Sequence, residues 1–423
     1  MSLRVCLFVL LLAGTLSPAY GQSPSGRAMK NVGPANQVVL APFGKVDPPK
    51  QRKIIGWPAD RMPTAPSGFR VTLFAEGFAL GRWPYVLPNG DVLVTDPGAG
   101  PDRAALRGAG KVYLLRDADK DGKAEVKEVF VSGLDRPFGM TLIRNRFYVA
   151  NTGGLMAFTY QTGQTQLSGS GEKVLDLIPD GVHWTRNILA KPDGSKIYIT
   201  VGSETDWSED DVDKLPPERA AIWEVNPDGS GKRLFATGIR NPVGLGWAPG
   251  TTTLWAVVNE RSNLGDELPP DYFMSIKQGG YYGWPFAYWG KVEDPRAKVH
   301  RRDLLEKSIT PDYALGSHNA PLGMTFYTGN SFPQQYRGGA FVAFHGSSNR
   351  SSFVGYNVSF IPFRNGKPAG EPQEFLTGFV SSAEAGEVFG RPVGLAVGAD
   401  GSLLVVDDAT NRIWKVTYTG GAR

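Results

Sequence analysis

One kind of segment recurs six times along the chain and limits its possible folds more than any other feature. Each copy begins with Arg or His, continues into small or apolar residues and precedes a strand-like run. The copies are Arg82-Trp-Pro-Tyr85, Arg136-Pro-Phe-Gly-Met140, His183-Trp-Thr-Arg-Asn-Ile188, Arg240-Asn-Pro-Val-Gly-Leu245, His318-Asn-Ala-Pro-Leu-Gly-Met324 and Arg391-Pro-Val-Gly-Leu395. Spacings of roughly 50 to 80 residues suit four-stranded units with loop insertions. The sequence therefore predicts an all-β fold, a six-bladed β-propeller.

Turn residues between the strand-like runs support this interpretation. The chain contains 53 Gly and 32 Pro, and Pro88-Asn-Gly90, Pro192-Asp-Gly194 and Ala399-Asp-Gly401 each precede a β-branched or aromatic run. Asn-Gly and Asp-Gly favour the positive φ angles of hairpin turns. We expect the last run, Arg412-Ile-Trp-Lys-Val-Thr-Tyr418, to pair beside Phe69-Arg-Val-Thr-Leu-Phe74 and close the ring.

The N-terminal region divides into two segments before the predicted propeller. Arg4 followed by an apolar run and by Ala19-Tyr-Gly21 is typical of a secretory signal peptide over residues 1–21. Residues 22–66 are rich in Pro, Gly and basic residues and are interpreted as an extended leader lying over the propeller domain of residues 67–420. We therefore expect a periplasmic or secreted protein without a further membrane-spanning segment.

Cysteine and charge exclude several classes of function. Cys6 is the only cysteine and lies within the signal peptide, so the mature chain would have no disulfide, thiolate metal site or haem-attachment motif. The formal net charge is +4, and it falls by one when Arg4 is removed with the signal. So small a charge gives no reason to expect a nucleic acid or a membrane as partner.

In a propeller, the starts of the first strands converge on one face of the ring. The residues that this places at the channel mouth are Arg82, Arg136, His183, Arg240 with Asn241, His318 with Asn319, and Arg391. Because unpaired buried charge is costly, several guanidinium groups facing one another predict an anionic ligand. The alternative, left open for Arg82 and Arg136, is that each pairs with a nearby carboxylate and joins neighbouring blades.

The sequence resembles the soluble quinoprotein sugar dehydrogenases, most closely their sorbosone-dehydrogenase-like branch. The resemblance covers residues 67–418 and is densest in five segments. These are His183-Trp-Thr-Arg-Asn187, Gly238-Ile-Arg-Asn-Pro-Val-Gly-Leu245, Asn259-Glu-Arg-Ser-Asn-Leu-Gly-Asp-Glu267, Gly279-Gly-Tyr-Tyr-Gly-Trp-Pro285 and Arg337-Gly-Gly-Ala-Phe-Val-Ala-Phe-His-Gly-Ser-Ser-Asn-Arg350. It implies a six-bladed propeller that binds pyrroloquinoline quinone (PQQ) and calcium and oxidises sugars.

The resemblance also implies roles for particular residues. Arg240 and Asn241 match the family's cofactor-contacting pair, and His183 matches its general base, with Asp180 as a candidate to orient the imidazole. The family's calcium loop corresponds to residues 260–267. Its oxygen donors in this chain would be Glu260, Asp266 and Glu267.

Two positions depart from the family pattern. Glucose-oxidising relatives place a lysine and a second arginine on the cofactor, where this chain has Asn349 and Val393. We expect Arg391 to remain as one cofactor contact. His318 and Arg350 are the residues expected to compensate at the cofactor site.

A second calcium site is predicted from spacing alone. Asp117, Asp119 and Asp121, with Gly122 at the sharp turn and Glu128 at the twelfth position, match the ligand spacing of an EF-hand loop. The flanking residues are strand-like, so we predict a structural calcium loop in a hairpin. A metal-free Asp/Gly turn is the alternative.

The leading hypothesis is a PQQ- and calcium-dependent oxidoreductase. It would oxidise an aldose or a sorbosone-like sugar aldehyde and pass electrons to a separate cytochrome or quinone acceptor. Two alternatives on the same fold are a calcium-dependent lactonase-type hydrolase and a non-catalytic binding propeller, because fold alone does not determine function.

Overall fold

The computed structural model describes residues 29–100, 106–179, 181–207 and 218–420. The predicted signal peptide and Asp180 lie outside these ranges. The regular secondary structure of the described residues is almost entirely β-strand, which confirms the all-β prediction. One short α-helix spans Arg302–Lys307, and three-residue 3-10 turns occupy Ala35–Gln37 and Gln334–Tyr336. No helix in the described ranges is long and apolar enough to cross a membrane.

The described residues form six large sheets of four or five strands. The strand given first for each sheet lies at one edge of that sheet and is called its first strand, and the sheets are numbered in the chain order of these first strands. The first three sheets are sheet 1 (Pro84–Val86, Val92–Asp96, Gly110–Arg116, Val126–Leu134), sheet 2 (Met140–Ile143, Arg146–Asn151, Gly154–Thr159, Glu172–Asp176) and sheet 3 (Ile188–Ala190, Ile197–Val201, Ala221–Val225, Arg233–Thr237, Gly280–Tyr281).

The remaining three sheets include strands from distant parts of the sequence. They are sheet 4 (Asn241–Trp247, Leu254–Asn259, Pro270–Ile276, Tyr313–Ser317, Val32–Pro34), sheet 5 (Pro321–Phe326, Ala340–Phe344, Asn357–Ile361, Gln373–Leu376) and sheet 6 (Pro392–Val397, Leu403–Asp407, Arg412–Tyr418, Phe69–Glu76). Phe69 pairs with Tyr418 in antiparallel register, so the predicted pairing of the first and last runs of the body is confirmed.

The described residues also form three smaller sheets of two or three strands. Their strands are Lys53–Ile54 with Val380–Ser382 and Glu387–Val388, then Ala287–Tyr288 with Val292–Glu293, and Phe363–Arg364 with Lys367–Pro368.

Each of the six repeated segments lies at the start of the first strand of one large sheet. The core is divided into apolar clusters between consecutive sheets, from sheets 1 and 2 through to sheets 5 and 6. A further cluster joins sheet 6 to sheet 1, where Val406 and Ile413 pack with Val92 and Val94. Because each sheet is covered on both faces, strands such as Val92–Asp96 and Leu403–Asp407 are buried at every residue.

The glycine in the repeated segment has a packing role. A Cβ added at Gly323 would lie 2.1 Å from the carbonyl oxygen of Val393, and one added at Gly394 would lie 2.5 Å from the carbonyl oxygen of Arg82. The backbones of neighbouring first strands therefore touch where a side chain would otherwise stand. Glycine in the repeat follows from this close approach.

We predict that Gly323→Ala destabilises the protein, because the new methyl group forces two first strands apart. Overpacking of this kind costs about 1–3 kcal/mol of unfolding free energy, which urea denaturation would measure. Gly44→Ala is the matched control, since its added Cβ meets nothing nearer than 3.8 Å. Equal stability of the two variants would contradict the packing role.

The described part of the leader runs along sheets 4, 5 and 6. The backbone N–H of Gly44 donates to the carbonyl of Leu264, and that of Lys50 donates to the carbonyl of Arg350. Farther along, the Trp57 indole donates to Asp407 over 2.8 Å. The leader thus borders the loops that carry several of the predicted site residues.

Candidate active site

Three of the predicted site residues come together between sheets 3 and 4. His183 lies just before the first strand of sheet 3, and Arg240 and Asn241 open the first strand of sheet 4. A Cβ added at Gly202 would lie 2.5 Å from both the Asn241 Oδ1 and the His183 Cβ, so these side chains flank the same glycine. The next residue, Ser203, donates its backbone N–H to the carbonyl of Arg240 over 2.7 Å.

The hydrogen bonds of His183 define its tautomer. Its Nδ1 lies 2.8 Å from the carbonyl oxygen of Ser203, which can only accept a hydrogen bond. Nδ1 therefore carries the proton, and Nε2 keeps a lone pair. Burial, followed by the positive charge of Arg240, lowers the pKa of His183 to about 3. The imidazole is neutral at pH 7 and has the electronic form of a general base.

Arg240 is buried, and most of its guanidinium N–H groups donate to other residues of the chain. Its Nη2 donates to the Asp206 carboxylate over 2.6 Å and its Nε to the Asp206 carbonyl over 3.1 Å. Its Nη1 donates to the carbonyls of Glu260 and Asn259 over 2.8 and 3.2 Å. Four of the five guanidinium N–H groups are thus engaged, and the fifth is left for a ligand.

The structure corrects the inference that the mouth arginines need an external anion. Arg82 forms an ion pair with Asp408, Arg136 lies 3.4 Å from Asp135, and Arg240 is paired with Asp206. The carboxylates of the chain provide the negative charge that the sequence argument assigned to a ligand. Arg82 and Arg136 therefore pair with carboxylates of the chain, which was the alternative left open for these two residues.

Arg391 has carbonyl partners rather than a carboxylate. It donates to the carbonyls of His345 and Gly346 over 2.8 and 3.0 Å. Burial, followed by repulsion from Arg52, lowers the pKa of Arg391 to about 10. It remains a cation at neutral pH, and the nearby Asp408 carboxylate partly balances its charge.

The structure does not bring Glu260, Asp266 and Glu267 together as metal ligands. The Glu260 carboxylate accepts a hydrogen bond from the backbone N–H of Arg261, whose guanidinium lies beside it. Glu267 is bound by Arg350 and Asn31, and Asp266 by Ser351. Cations and donors hold each carboxylate separately, and the ligand atoms of these three do not come together as those of the hairpin cluster described below do.

Two more of the predicted cofactor residues lie around the same loop. His318 Nε2 is 3.0 Å from the carbonyl oxygen of Gly265, and burial lowers the pKa of His318. Arg350 donates to the backbone carbonyl of Asp266 as well as to Glu267. His318 and Arg350 therefore shape the 260–267 loop and make their contacts with it.

A cluster of carboxylates does form in the predicted hairpin loop. Among the described residues, the group of potential metal-binding side chains whose ligand atoms lie within 4.8 Å of one another is Asp117, Asp119, Asp121 and Glu125. Glu128 is not part of it, which corrects the EF-hand spacing. The chain enters the strand Val126–Leu134 instead of a helix, so the twelfth position pairs with Leu114 in sheet 1.

Sequence reasoning missed three buried or half-buried acids. Asp206 binds Arg240. Asp408 binds Arg82 and also lies 2.8 Å from the Nε2 of His345. Asp271 accepts the backbone N–H groups of Glu260 and Ala320, and burial raises its pKa to about 7.

Apolar residues form the floor below the polar mouth. Trp83, Phe138 and Val243 form one cluster, against which Trp184 and Leu322 pack. Trp83 also borders an open pocket of about 300 Å³ that the first strands of all six large sheets line, with Tyr85, Met140, Leu189, Leu245, Met324 and Ala396 in its wall.

We predict that acid destabilises the folded protein through its buried histidines. Burial lowers the pKa of His183 to about 3 and that of His345 to about 4, against an ordinary 6.5. Below pH 6.5 the unfolded chain binds protons that the folded chain refuses, so the stability that the two histidines contribute is complete above pH 6.5 and falls toward pH 4. Asp271 opposes this loss because its raised pKa lets the folded chain take up one proton below about pH 7, but the two histidines outweigh the one carboxyl group. Each histidine contributes at most about 1.4 kcal/mol per pH unit. Melting temperatures from pH 7.5 to 4.5 measure this loss, and His345→Gln should flatten it.

The sequence was compared with models of known families. The family described as glucose/sorbosone dehydrogenase matches residues 148–349, and a family described as TrAA12-like matches residues 290–419. The two matches overlap and together extend from sheet 2 to sheet 6.

Individual proteins were compared as well. The chain is 30% identical over 298 residues to an uncharacterized protein of Borreliella burgdorferi, covering 67% of this chain and 76% of that protein. It is 22% identical over 397 residues to a pyrroloquinoline quinone-dependent sugar dehydrogenase of Hypocrea jecorina, covering 83% and 88% of the two chains.

Among solved structures, a calcium structure of the Trichoderma reesei carbohydrate-active enzyme of family AA12 has a TM-score of 0.71 at 20% identity. The match covers 84% of this chain and 97% of that one. At such low identity the similarity concerns the fold. The family-model match and the 30% identical relative go further, and with the segments around His183 and Arg240 they show that the chain belongs to the glucose/sorbosone dehydrogenase family.

Proposed function

We propose that the chain is a PQQ-dependent sugar dehydrogenase built as a closed six-bladed β-propeller. The closed ring is supported by the apolar cluster between sheets 6 and 1 and by the open pocket that all six first strands line. The observation that carries the function is the neutral His183 with an unprotonated Nε2 beside Arg240 and Asn241, in a chain of this family.

The polar atoms of the mouth fit a planar, multiply charged cofactor. The buried Oδ1 of Asn241 and the buried Nε of Arg82 have no hydrogen-bond partner among the described residues. Arg240 keeps one N–H, and Arg391 is a half-buried cation whose guanidinium donates to backbone carbonyls. Buried polar groups are normally satisfied, so these atoms favour a ligand that carries both donors or acceptors and negative charge.

The mechanism that we propose assigns one role to each side chain. When bound, PQQ supplies the ortho-quinone that takes the hydride from the sugar carbon. His183 Nε2 accepts the proton of the hydroxyl group on the same carbon, and its Nδ1–H stays on the Ser203 carbonyl so that the ring keeps its orientation. Arg240 and Asn241 hold the ligand against this base.

Of the two predicted calcium sites, we retain the one in the hairpin loop. The carboxylates of residues 260–267 are held by Arg261, Arg350 and other donors, and no catalytic step is assigned to calcium there. The hairpin cluster of Asp117, Asp119, Asp121 and Glu125 has oxygen donors of the right kind, and we propose a structural calcium ion in it. Calcium should raise the melting temperature of the wild type, whereas Asp119→Asn should abolish the rise; no shift in the wild type would contradict this site.

The substrate that we propose is an aldose or a sugar aldehyde such as sorbosone, with electrons passing to a separate cytochrome or quinone acceptor outside the cytoplasm. The test is to add PQQ and calcium to the apoprotein, follow PQQ binding by absorbance and assay dye reduction with a panel of aldoses and sorbosone. Failure of both PQQ binding and dye reduction would contradict the proposal. The lactonase alternative requires carboxylates that converge on a metal in the channel, and the described residues of the mouth form no such group.

A further inference from the structure

We infer that Asp206 competes with the anionic group of the ligand for Arg240 and thereby sets which ligands the site retains. This inference rests on the proposed function. In the structure the Asp206 carboxylate lies 2.6 Å from the Arg240 Nη2 and accepts the backbone N–H of Ser262 over 3.2 Å. A carboxylate of the chain thus occupies the side of Arg240 that would meet a ligand carboxylate.

The donor geometry of Arg240 makes the competition direct. Two N–H groups are committed to the carbonyls of Asn259 and Glu260, and the Nε–H to the carbonyl of Asp206. A hydrogen bond between two charged groups is stronger than one between neutral groups. A ligand carboxylate that reaches the remaining Nη2 N–H meets a guanidinium already neutralised by Asp206, and it gains the full charge and both Nη2 N–H groups only after the Asp206 carboxylate leaves.

Burial determines which partner of the pair gives way. The Arg240 side chain is 8% exposed, whereas that of Asp206 is 34% exposed. Asp206 can therefore return to water at a small solvation cost, while Arg240 cannot leave its buried position without losing its charge partners. The movement belongs to the Asp206 side chain.

Neighbouring contacts restrict this movement to the side chain. Trp207 donates its indole N–H to the carbonyl of Pro285 over 3.0 Å, and Arg296 lies 4.2 Å from the centre of its ring. The backbone next to Asp206 is thereby held, so the Asp206 carbonyl stays on Nε. A ligand with one carboxylate merely exchanges for Asp206, whereas one with several carboxylates gains further contacts and is retained.

The experiment compares PQQ binding to the wild type and to Asp206→Asn by equilibrium dialysis. The amide keeps the size of the side chain and an acceptor oxygen but removes the charge, so PQQ should bind about tenfold more tightly. Asp206→Glu keeps the charge and should not tighten binding. Asp176→Asn, at an exposed acid paired with Lys173, is the matched control and should leave the affinity unchanged.

Unchanged or weaker PQQ binding by Asp206→Asn would overturn the inference, because Asp206 would then only orient Arg240. If the wild type itself does not bind PQQ, the proposed function fails, and citrate serves as a tricarboxylate probe instead. Citrate should raise the melting temperature of Asp206→Asn more than that of the wild type. An equal rise in both proteins would overturn the inference independently of PQQ.

Discussion

His183→Gln is expected to lower kcat by about 10²–10⁴-fold, the usual contribution of a general base, while PQQ affinity changes little. The glutamine side chain can still donate to the Ser203 carbonyl, which now accepts from Nδ1 over 2.8 Å. It offers no basic nitrogen in place of Nε2, so the hydroxyl proton of the sugar has no acceptor. Steady-state dye reduction and a PQQ titration of the same preparation measure the two quantities separately.

The matched control for this substitution is His300→Gln. His300 is exposed and lies 2.6 Å from Glu293 in the insertion after sheet 3's last strand, so its replacement should leave turnover unchanged. A His183→Gln protein that retained most of its kcat would contradict the assignment of the base. A protein that lost PQQ binding along with turnover would show instead that His183 holds the cofactor.

The sheets could be predicted because their signals are local in the sequence. Pro88-Asn-Gly90 precedes a strand, and the backbone N–H of Gly90 donates to the carbonyl of Leu87 in the hairpin that the dipeptide predicts. The pairing of Phe69 with Tyr418 spans the whole body, but it follows from the need to cover the free edge of the last strand, Arg412–Tyr418.

The electrostatics of the mouth could not be predicted in the same way. The partner of Arg82 is Asp408, 326 positions away, and the partner of Arg240 is Asp206, 34 positions away; both carboxylates lie outside the six repeated segments. Nothing in the spacing of the six segments indicates which carboxylate reaches which guanidinium. The sequence therefore shows which residues of the mouth are positive, but which carboxylate neutralises each guanidinium depends on the folded geometry.

The prediction of the hairpin cluster was wrong at one residue, Glu128, because it too depended on the folded backbone. The EF-hand spacing assumes that a helix follows the loop and returns the twelfth residue to the metal. Here a strand begins at Val126, so Glu125 at the ninth position joins the three aspartates and Glu128 pairs along sheet 1. The donor type was predicted correctly for Asp117, Asp119 and Asp121, whereas the backbone path decided the fourth residue.

Asp408→Leu is expected to lower the unfolding free energy by about 3–5 kcal/mol, the cost of removing one partner of a buried ion pair. Asp408 is 7% exposed at its side chain and binds Arg82 and His345. Burial opposes its ionisation, but His345, Arg82 and Arg391 outweigh burial and hold the pKa of Asp408 below its usual value. Urea denaturation of the variant measures the loss, with exposed Asp176→Asn as the control that should lose almost nothing.

The double variant Arg82→Met with Asp408→Leu separates the ion pair from simple packing. If the cost of Asp408→Leu comes from leaving the Arg82 guanidinium buried without its carboxylate, then replacing Arg82 as well should restore part of the lost stability. Additive losses in the double variant would contradict this account and would assign the cost to packing around the floor residues Phe138 and Trp184, over whose rings Arg82 lies at 5.7 and 5.8 Å. Recovery would mean that the Arg82 guanidinium is tolerated at the mouth because the Asp408 carboxylate neutralises it.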